Sequence, residues 1–255
     1  MMIALIPYFE QPETTLFGSR LQAWDVFVFL GFALGVFIAA RAARWKRRDP
    51  AVVLDYAPWV LLGGFAGAHL VHIFFYEPAL FQENPWVVLY IWSGLSSFGG
   101  FLGATLITLV FFRRSNESFW SYCDPLAVGM APAWTVARIG CFLAHDHKGV
   151  ESDFFLAVDF PLGPRHDLGL YEAGLSFLLS IVVAWLFFRK RSPDGTVAGT
   201  LCFLYGVVRF FLDFLRAHDA RYGGLTPAQY GAVVLALLGL YMVAHGLRFG
   251  REQKT

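Results

Sequence analysis

The sequence predicts an all-α, polytopic membrane protein that crosses the bilayer seven times. Of its 255 residues, 57% are hydrophobic and only 15% are charged, a composition far from that of a soluble domain. The apolar residues fall in runs of about 20, the length that a helix needs to cross the hydrocarbon core of a bilayer. The connecting segments are alternately rich and poor in Lys and Arg, which is typical of a multi-pass membrane protein.

The seven predicted spans form a single integral membrane domain over residues 1–255. We expect them at about residues 23–42, 57–76, 88–112, 125–143, 171–188, 196–216 and 227–247. Thirteen of the 20 basic residues follow spans 1, 3, 5 and 7: Arg41, Arg44, Lys46, Arg47, Arg48, Arg113, Arg114, Arg189, Lys190, Arg191, Arg248, Arg251 and Lys254. Because the positive-inside rule places these segments in the cytoplasm, we predict the N-terminus outside and the C-terminus inside.

Arg138 lies inside the fourth predicted span, in the stretch Thr135–Gly149, which begins apolar and ends in a polar loop. Burying an arginine at this depth costs on the order of 2.5 to 3.5 kcal/mol on insertion scales. Such a residue requires a partner or a ligand that compensates its charge. Arg138 is therefore the first indication of a functional site.

The sixth predicted span carries a polar stripe. Four residues follow a spacing of 4, 4 and 3, which places them on one face of a helix: Tyr205, Arg209, Asp213 and Arg216. In one interpretation Arg209 and Asp213 neutralise each other and hold spans together. In the other, Arg138 and Arg209 lie at one level, each roughly 20 Å from the cytoplasmic end of its span. Two arginines beside a single aspartate would leave a positive charge for an anion such as a phospholipid phosphate.

The third predicted span is rich in small residues, with four glycines and three serines between Ser93 and Ala104. Gly99 and Gly103 form a GxxxG pattern, which is typical of closely packed membrane helices. The alternative is a broken or re-entrant segment that lines a lipid-accessible cavity with backbone donors. The sequence leaves both interpretations open.

The longest predicted outer loop, residues 144–169, contains His145, Asp146 and His147. An HxH pair can bind a metal ion, and Asp146, Glu151, Asp153 and His166 are the further ligands nearby in sequence. A solvated loop or a contact with a lipid headgroup also explains these residues. We predict no metal site.

Several classes of function are excluded by what the soluble segments lack. They contain no phosphate-binding GxxxxGK[ST] loop, no dinucleotide-binding glycine pattern and no nucleic-acid-binding module. The three cysteines lack CxxC spacing, so neither a disulfide framework nor a zinc site is indicated. We therefore expect no cofactor and no nucleic-acid partner, and we predict a function that faces the outer leaflet.

Five segments, in order along the chain, resemble the signatures of prolipoprotein diacylglyceryl transferases. They are GAHLVHIFFYEPALFQENPWVVLYIWSGLSSFGGFLG from Gly67, ARIGCF with Gly149 behind it, GPRHDLGLYEAG from Gly163, LYGVVRFFLDFLRAHDA from Leu204 and LTPAQYG from Leu225. Each motif alone is weak, whereas five in register are specific. The resemblance covers most of the chain.

The resemblance implies a multi-pass enzyme of the bacterial inner membrane. Its substrates would be phosphatidylglycerol, whose diacylglyceryl group is transferred, and a prolipoprotein, whose lipobox cysteine thiol accepts it with release of glycerol phosphate. The family's functional positions fall on the following residues: Arg138, Arg209 and Tyr205 as catalytic and phosphate-binding groups, Gly149 in the outer loop, Gly99 and Gly100, Tyr171 with Glu172, and Asp213 with Arg216.

The chain departs from the family pattern at several positions. Phe98 replaces the histidine of SFHGG, Cys141 replaces the asparagine of RIGNF, Trp24 beside Asp25 replaces a tyrosine, and His69 replaces an arginine. Two hypotheses explain how the acceptor thiol is activated without that histidine. Either the positive field of the two arginines lowers the thiol pKa, or another histidine, His69 or His166, accepts the proton.

These departures also keep two other functions open. A paralogue could transfer the diacylglyceryl group to a different acceptor, or it could bind phospholipid as a scaffold without catalysis. Retention of both arginines and of Tyr205, at their cost in the membrane, favours an enzyme.

Overall fold

The computed structural model of the chain describes residues 6–16, 19–90, 94–189, 192–217 and 221–252. Four residues used in the sequence predictions, Ser93, Lys190, Arg191 and Lys254, lie outside these ranges. In the part that the structure describes, helices dominate: α1 Ala23–Trp45, α2 Pro50–Val71, α3 Pro78–Glu83, α4 Ser97–Arg114, α5 Phe119–Ala144, α6 Leu168–Phe188, α7 Thr196–Leu212 and α8 Pro227–Glu252. The predicted helical, polytopic membrane architecture is confirmed at this level.

Within the described ranges, six helical segments are long and apolar enough to cross a membrane: Ala23–Trp45, Pro50–Tyr76, Phe119–Ala144, Leu168–Phe188, Thr196–Leu215 and Pro227–Arg248. They coincide with six of the seven predicted spans. The second of these six segments continues past α2 as a π-helical turn, His72–Tyr76. The fifth continues past α7 as a 3-10 turn, Asp213–Leu215.

The predicted third span differs most from the structure. Its helix, α4, begins at Ser97 rather than near residue 88, because Pro85–Leu89 is a 3-10 turn and Gly94 has a positive φ of 142°. Ser96 then caps α4, its Oγ accepting a hydrogen bond from the Gly99 N–H at 3.3 Å. Hydropathy alone does not detect a helix start of this kind, since the preceding residues are also apolar.

Short strands accompany the helices, which the all-α prediction did not include. They are β1 Ile6–Pro7, β2 Glu13–Leu16, β3 Ser19–Gln22, β4 Lys148–Glu151, β5 Val158–Phe160 and β6 Gly163–Asp167. Four of them form a sheet in the order β1-β5-β6-β4, with β1 parallel to β5 and the other pairs antiparallel, while β2 and β3 form a hairpin. Residues 144–169, predicted as an irregular outer loop, therefore contribute three strands to a folded sheet.

The chain divides into two compact units, Met1–Ala42 with Cys123–Thr255, and Ala43–Tyr122. In the larger unit, α7 packs along α8 and α6 along α7. Glycines allow the close approach: a Cβ at Gly199 of α7 would lie 2.7 Å from the Gly239 carbonyl oxygen of α8, and one at Gly206 would lie 2.6 Å from that of Ala232.

The smaller unit is built on the pair of α2 and α4. A Cβ added at Gly99 would lie 2.3 Å from the Gly67 carbonyl oxygen, and one at Gly103 would lie 2.1 Å from that of Gly63. The GxxxG pattern is therefore a packing face, in agreement with the first of the two interpretations of this segment.

Carboxylate and hydroxyl side chains cap several helices of the larger unit. The Asp167 carboxylate accepts from the Leu170 N–H at the start of α6, and the buried Asp124 carboxylate accepts from the Ala198 N–H in the first turn of α7. Thr226 and Gln229 form a capping box at α8, in which each side chain accepts from the backbone N–H of the other. These caps satisfy backbone donors that would otherwise be costly to bury in a membrane protein.

Candidate active site

Glu172 is the centre of a cluster of polar side chains in the larger unit. It lies in the second turn of α6 and its side chain is fully buried. Its Oε2 is 3.0 Å from Arg138 Nε of α5, and its Oε1 is 3.6 Å from Arg209 Nη1 of α7. One carboxylate therefore holds two guanidinium groups from two other helices, both nearly buried.

Tyr205 connects the same three helices through its hydroxyl group. The hydroxyl donates to Glu172 Oε2 at 3.0 Å and accepts from Trp134 Nε1 of α5 at 3.2 Å. The Trp134 ring also lies beneath the Arg138 guanidinium, 4.8 Å from its centroid, a cation–π distance. Tyr205 thus fixes Glu172 from one side, and Trp134 fixes Arg138 from the other.

Asp213 neutralises Arg209 at the end of α7. Its Oδ1 lies 2.8 Å from Arg209 Nη2 and 4.0 Å from Arg216 Nη1, and its other oxygen accepts from the hydroxyl of Thr226. Since Thr226 also caps α8, this buried carboxylate joins the end of one helix to the beginning of the next. The predicted stripe on the sixth span is present, and Arg209 and Asp213 form the expected i,i+4 pair.

The charge balance of this cluster differs from the one expected from the sequence. Arg138 and Arg209 face two carboxylates, Glu172 and Asp213, rather than one. The two arginines are therefore formally neutralised. A net positive charge has to come from additional residues.

Gly149 lies where strand β4 crosses the end of the α7 segment, bridged to Arg216. A Cβ at this position would meet the Leu215 carbonyl oxygen at 2.6 Å and His166 Cβ at 2.9 Å. Only glycine permits this approach, which brings strand β4 against Arg216 at the edge of the arginine cluster. Arg165 of β6 donates to the Gly149 carbonyl oxygen at 3.4 Å and pairs with Glu151 at 2.7 Å.

The histidines of the outer sheet have different surroundings. His166 Nδ1 lies 2.8 Å from the Tyr171 hydroxyl, and partial burial lowers the pKa of His166, which favours the neutral imidazole. His145 is buried among aromatic rings, and its Nδ1 lies 2.8 Å from Asp167 Oδ2. Burial raises the pKa of Asp167, although hydrogen bonds from His145 and from the Leu170 N–H oppose this shift.

His147 is the histidine that reaches the arginine cluster. Its Nε2 lies 3.3 Å from Arg138 Nη1, and its Nδ1 hydrogen-bonds to Asp146. Cys141 Sγ, one turn after Arg138 on α5, lies 3.6 Å from Arg138 Nη1. Burial opposes protonation of His147, but hydrogen bonds to Asp146 and Cys141 outweigh it and raise the pKa of His147 to about 9.

The HxH pair considered for a metal does not converge on one point, because His145 contacts Asp167 instead. Potential ligand atoms of Cys141, Asp146 and His147 do lie within 4.8 Å of one another. However, the guanidinium of Arg138 is in direct contact with His147, and a fixed positive charge there disfavours a metal cation.

Three predicted site residues, His69, Gly99 and Gly100, belong to the smaller unit, as does Phe98, which replaces the family histidine. His69 is buried with Nδ1 3.3 Å from the Gly94 carbonyl oxygen and Nε2 3.1 Å from that of Val87. Because each ring nitrogen faces a backbone carbonyl oxygen and one N–H can donate to either, His69 is explained as a structural residue that holds the chain before α4. Gly99 is explained by packing against α2, Gly100 is in ordinary contact with the same helix, and Phe98 is exposed.

Two residues of the cluster were not identified from the sequence, Trp134 and Thr226. Trp134 precedes Arg138 by four residues on one helix, so the i,i+4 spacing was a usable signal. Thr226 is the first residue of a T-x-x-Q capping box, but its hydroxyl bond to Asp213 depends on how α7 and α8 pack.

Comparison with known proteins identifies the family of the chain. A family model for prolipoprotein diacylglyceryl transferase matches residues 14–245. A protein of Nitratidesulfovibrio vulgaris (strain DP4), named phosphatidylglycerol--prolipoprotein diacylglyceryl transferase, is 30% identical over 254 residues, with coverage of 94% of this chain and 95% of the relative. Proteins with the same name from Solidesulfovibrio magneticus and Pseudomonas paraeruginosa are each 31% identical, with coverage of 93% and 90% of this chain and 95% and 90% of theirs. The chain belongs to the prolipoprotein diacylglyceryl transferase family.

Proposed function

We propose that this protein transfers the diacylglyceryl group of phosphatidylglycerol to the lipobox cysteine thiol of a prolipoprotein. The thiol sulfur forms a bond to the glyceryl carbon that carries the phosphate. The carbon–oxygen bond to the phosphate breaks, and glycerol phosphate leaves with the bonding electrons. The thiol proton is given up to a base or to water, so the products are a thioether and glycerol phosphate.

The observation that carries this proposal is the convergence of Arg138 and Arg209 on Glu172 from separate helices. Guanidinium groups suit phosphate oxygens, and they are most effective where water is excluded. Both arginines lie in segments apolar enough to span a membrane, where their burial is expensive without a function. As the headgroup phosphate leaves, the two cations stabilise its developing charge.

The remaining residues of the cluster position the arginines. Glu172 and Tyr205 orient Arg138, while Asp213 orients Arg209 and Arg216. Gly149 brings the outer sheet close to these groups. In this proposal Arg138, Arg209 and Tyr205 contact the substrate, and Gly99 and Gly100 shape the α2–α4 pair.

The proton acceptor for the thiol is either solvent, with the positive field lowering the thiol pKa, or a neutral histidine. His166 is the better supported of the two predicted histidines, because its pKa is lowered and its Nδ1 faces only a hydroxyl group among the described contacts. Replacing His166 with glutamine and following transfer across pH distinguishes the two routes.

We further propose seven membrane spans in the bacterial inner membrane, with the N-terminus outside and the C-terminus in the cytoplasm. Helix α4, with 18 residues, is about 27 Å long and close to the thickness of the hydrocarbon core. With α4 counted, the chain has an odd number of spans, so its termini lie on opposite sides of the membrane. The distribution of Lys and Arg supports this arrangement.

The decisive experiment measures transfer of labelled diacylglyceryl from phosphatidylglycerol to a lipobox peptide by the purified protein. We expect Arg138→Ala and Arg209→Ala each to lower the rate by at least about 100-fold. Arg113→Ala, which removes an exposed arginine near the end of α4, is the matched control and should be fully active. If the wild-type protein binds phosphatidylglycerol but does not transfer its diacylglyceryl group, the enzymatic function is refuted and a lipid-binding scaffold remains as the alternative.

A further inference from the structure

His147 approaches Arg138 in a way that the helical cluster alone does not explain. His147 comes three residues after the end of α5, and its Nε2 lies 3.3 Å from Arg138 Nη1. Asp146 binds the opposite ring nitrogen, Nδ1. An imidazole held by a carboxylate on one nitrogen presents the other nitrogen in a fixed direction, here toward the guanidinium.

The two nitrogens share a weak acceptor. Arg138 Nη1 donates to His147 Nε2 when that nitrogen carries no proton, and it donates to Cys141 Sγ at 3.6 Å. When His147 is protonated, both side chains are donors, and the Cys141 sulfur, which also bonds to His147, is the acceptor left among the described contacts. A thiol sulfur accepts hydrogen bonds poorly compared with an anionic oxygen. A phosphate oxygen placed between the donors would replace a weak bond with two charge-assisted ones.

The charges of the connected side chains give a second, independent argument. Within the described residues, Arg138 and Arg209 are compensated by Glu172 and Asp213. A proton on the His147 ring places a second positive charge beside Arg138 Nη1. Two adjacent cationic donors suit the negative charge of a phosphodiester.

We propose that His147 and Arg138 together bind one phosphate oxygen of a glycerophosphate group, with His147 supplying a second positive charge beside the guanidinium. This inference rests on the proposed function for the identity of the lipid, but the phosphate site itself does not require catalysis. His147 is a binding residue here, not the base that accepts the thiol proton.

The pH dependence of binding follows from the groups around the ring. Asp146 on its own loop favours the imidazolium, Cys141 of α5 accepts from it, and Arg138, itself paired with Glu172 of α6, opposes it. The pKa of His147 is raised to about 9, so the ring is charged at neutral pH and loses its proton as the pH rises through 9. Affinity for the phosphate group should fall over the same range.

The test is equilibrium binding of phosphatidylglycerol to the purified full-length chain in detergent, with diacylglycerol as the ligand that lacks a phosphate. His147→Gln should weaken phosphatidylglycerol binding about tenfold at pH 7.5 without changing diacylglycerol binding. His147→Lys, which keeps a cation, should recover most of the loss. His245→Gln, on α8 beside Tyr241, is the matched control and should bind as the wild type does.

A pH series completes the experiment. The affinity of the wild type for phosphatidylglycerol should decrease between pH 8 and pH 10, because one histidine loses its proton in this range. The affinity of His147→Gln should stay constant. Competition by glycerol phosphate shows whether the site binds the phosphate of the lipid or that of the released product. If His147→Gln binds phosphatidylglycerol normally but glycerol phosphate competes less well, the site belongs to the product. The proposal is overturned if His147→Gln binds phosphatidylglycerol and glycerol phosphate as the wild type does, or if wild-type affinity does not change with pH. Either result counts even if transfer activity is intact.

Discussion

Glu172 lies between two guanidinium groups that come from different helices, those of Arg138 and Arg209. It also accepts the Tyr205 hydroxyl, so three side chains depend on one carboxylate. Removing one member of a buried ionic group destabilises a protein more than replacing the whole group with apolar residues, because the remaining charges stay buried without compensation. At the scale of single residues, the cluster should therefore be most sensitive at Glu172.

Glu172→Gln should abolish transfer, by at least about 100-fold, and should destabilise the protein by about 3 to 5 kcal/mol, since two arginines lose their shared carboxylate. The rate is measured with the lipobox peptide, and the stability by thermal unfolding in detergent. Glu172→Asp, which keeps the charge on a shorter side chain, should retain more stability than the glutamine variant. Wild-type stability in Glu172→Gln would contradict the argument that Arg138 depends on Glu172 for its compensation.

Tyr205→Phe removes only the hydroxyl that links Glu172 to Trp134. We expect a rate about tenfold lower with little change in stability, because the ring that packs against Trp134 is kept. Kinetics at varied phosphatidylglycerol concentration provide the measurement. A rate equal to that of the wild type would mean that the hydroxyl does not orient the carboxylate in the transition state.

The helices of the smaller unit approach closely because glycines replace side chains at their contact. The carbonyl oxygens of Gly63 and Gly67 on α2 face Gly103 and Gly99 on α4. In a membrane, where burial of apolar surface does not drive helices together, such close packing supplies much of the attraction. At the scale of elements, stability is set by the fit of backbones.

Gly103→Ala should separate α2 from α4, because the new methyl group would lie 2.1 Å from the Gly63 carbonyl oxygen. We expect a loss of about 1 to 3 kcal/mol in the free energy of unfolding, measured by thermal or denaturant unfolding in detergent. Gly174→Ala on α6 is the control: nothing lies within 4 Å of its added Cβ, so it should be neutral or slightly stabilising. Equal losses in both variants would contradict the packing argument.

The membrane arrangement of the whole molecule depends on whether α4 spans the bilayer. Six helical segments of the described chain satisfy both length and hydropathy, and α4 is the remaining predicted span. Six spans would place the two termini on one side, whereas seven place them on opposite sides. The basic residues in the last turn of α4, Arg113 and Arg114, favour a cytoplasmic position for that end of the helix.

Reporter fusions at the two termini should therefore give opposite signals: a periplasmic reporter active at the N-terminus and a cytoplasmic reporter active at the C-terminus. A single cysteine placed at Asn116, in the segment after α4, should be shielded from an impermeant thiol reagent in intact cells, provided that the native cysteines are replaced. Termini on the same side would reduce the number of spans to six and make α4 re-entrant.

The sequence alone determined the helical membrane class, the approximate position of six helices and the stripe Tyr205, Arg209, Asp213 and Arg216. These features are local: hydropathy acts over about 20 residues and helical spacing over one or two turns. The resemblance of five motifs to one family also required no structure, and the family is confirmed.

Only the tertiary structure decided which polar residues meet. Tyr205 and Glu172 are 33 residues apart, and Trp134 and Tyr205 are 71 apart, so their contacts depend on how α5, α6 and α7 pack. The same holds for the late start of α4, which a cap and a glycine with positive φ determine, and for the folded outer sheet. Helix propensity and hydropathy contain no information about the partners of a buried charge, because those partners come from other helices.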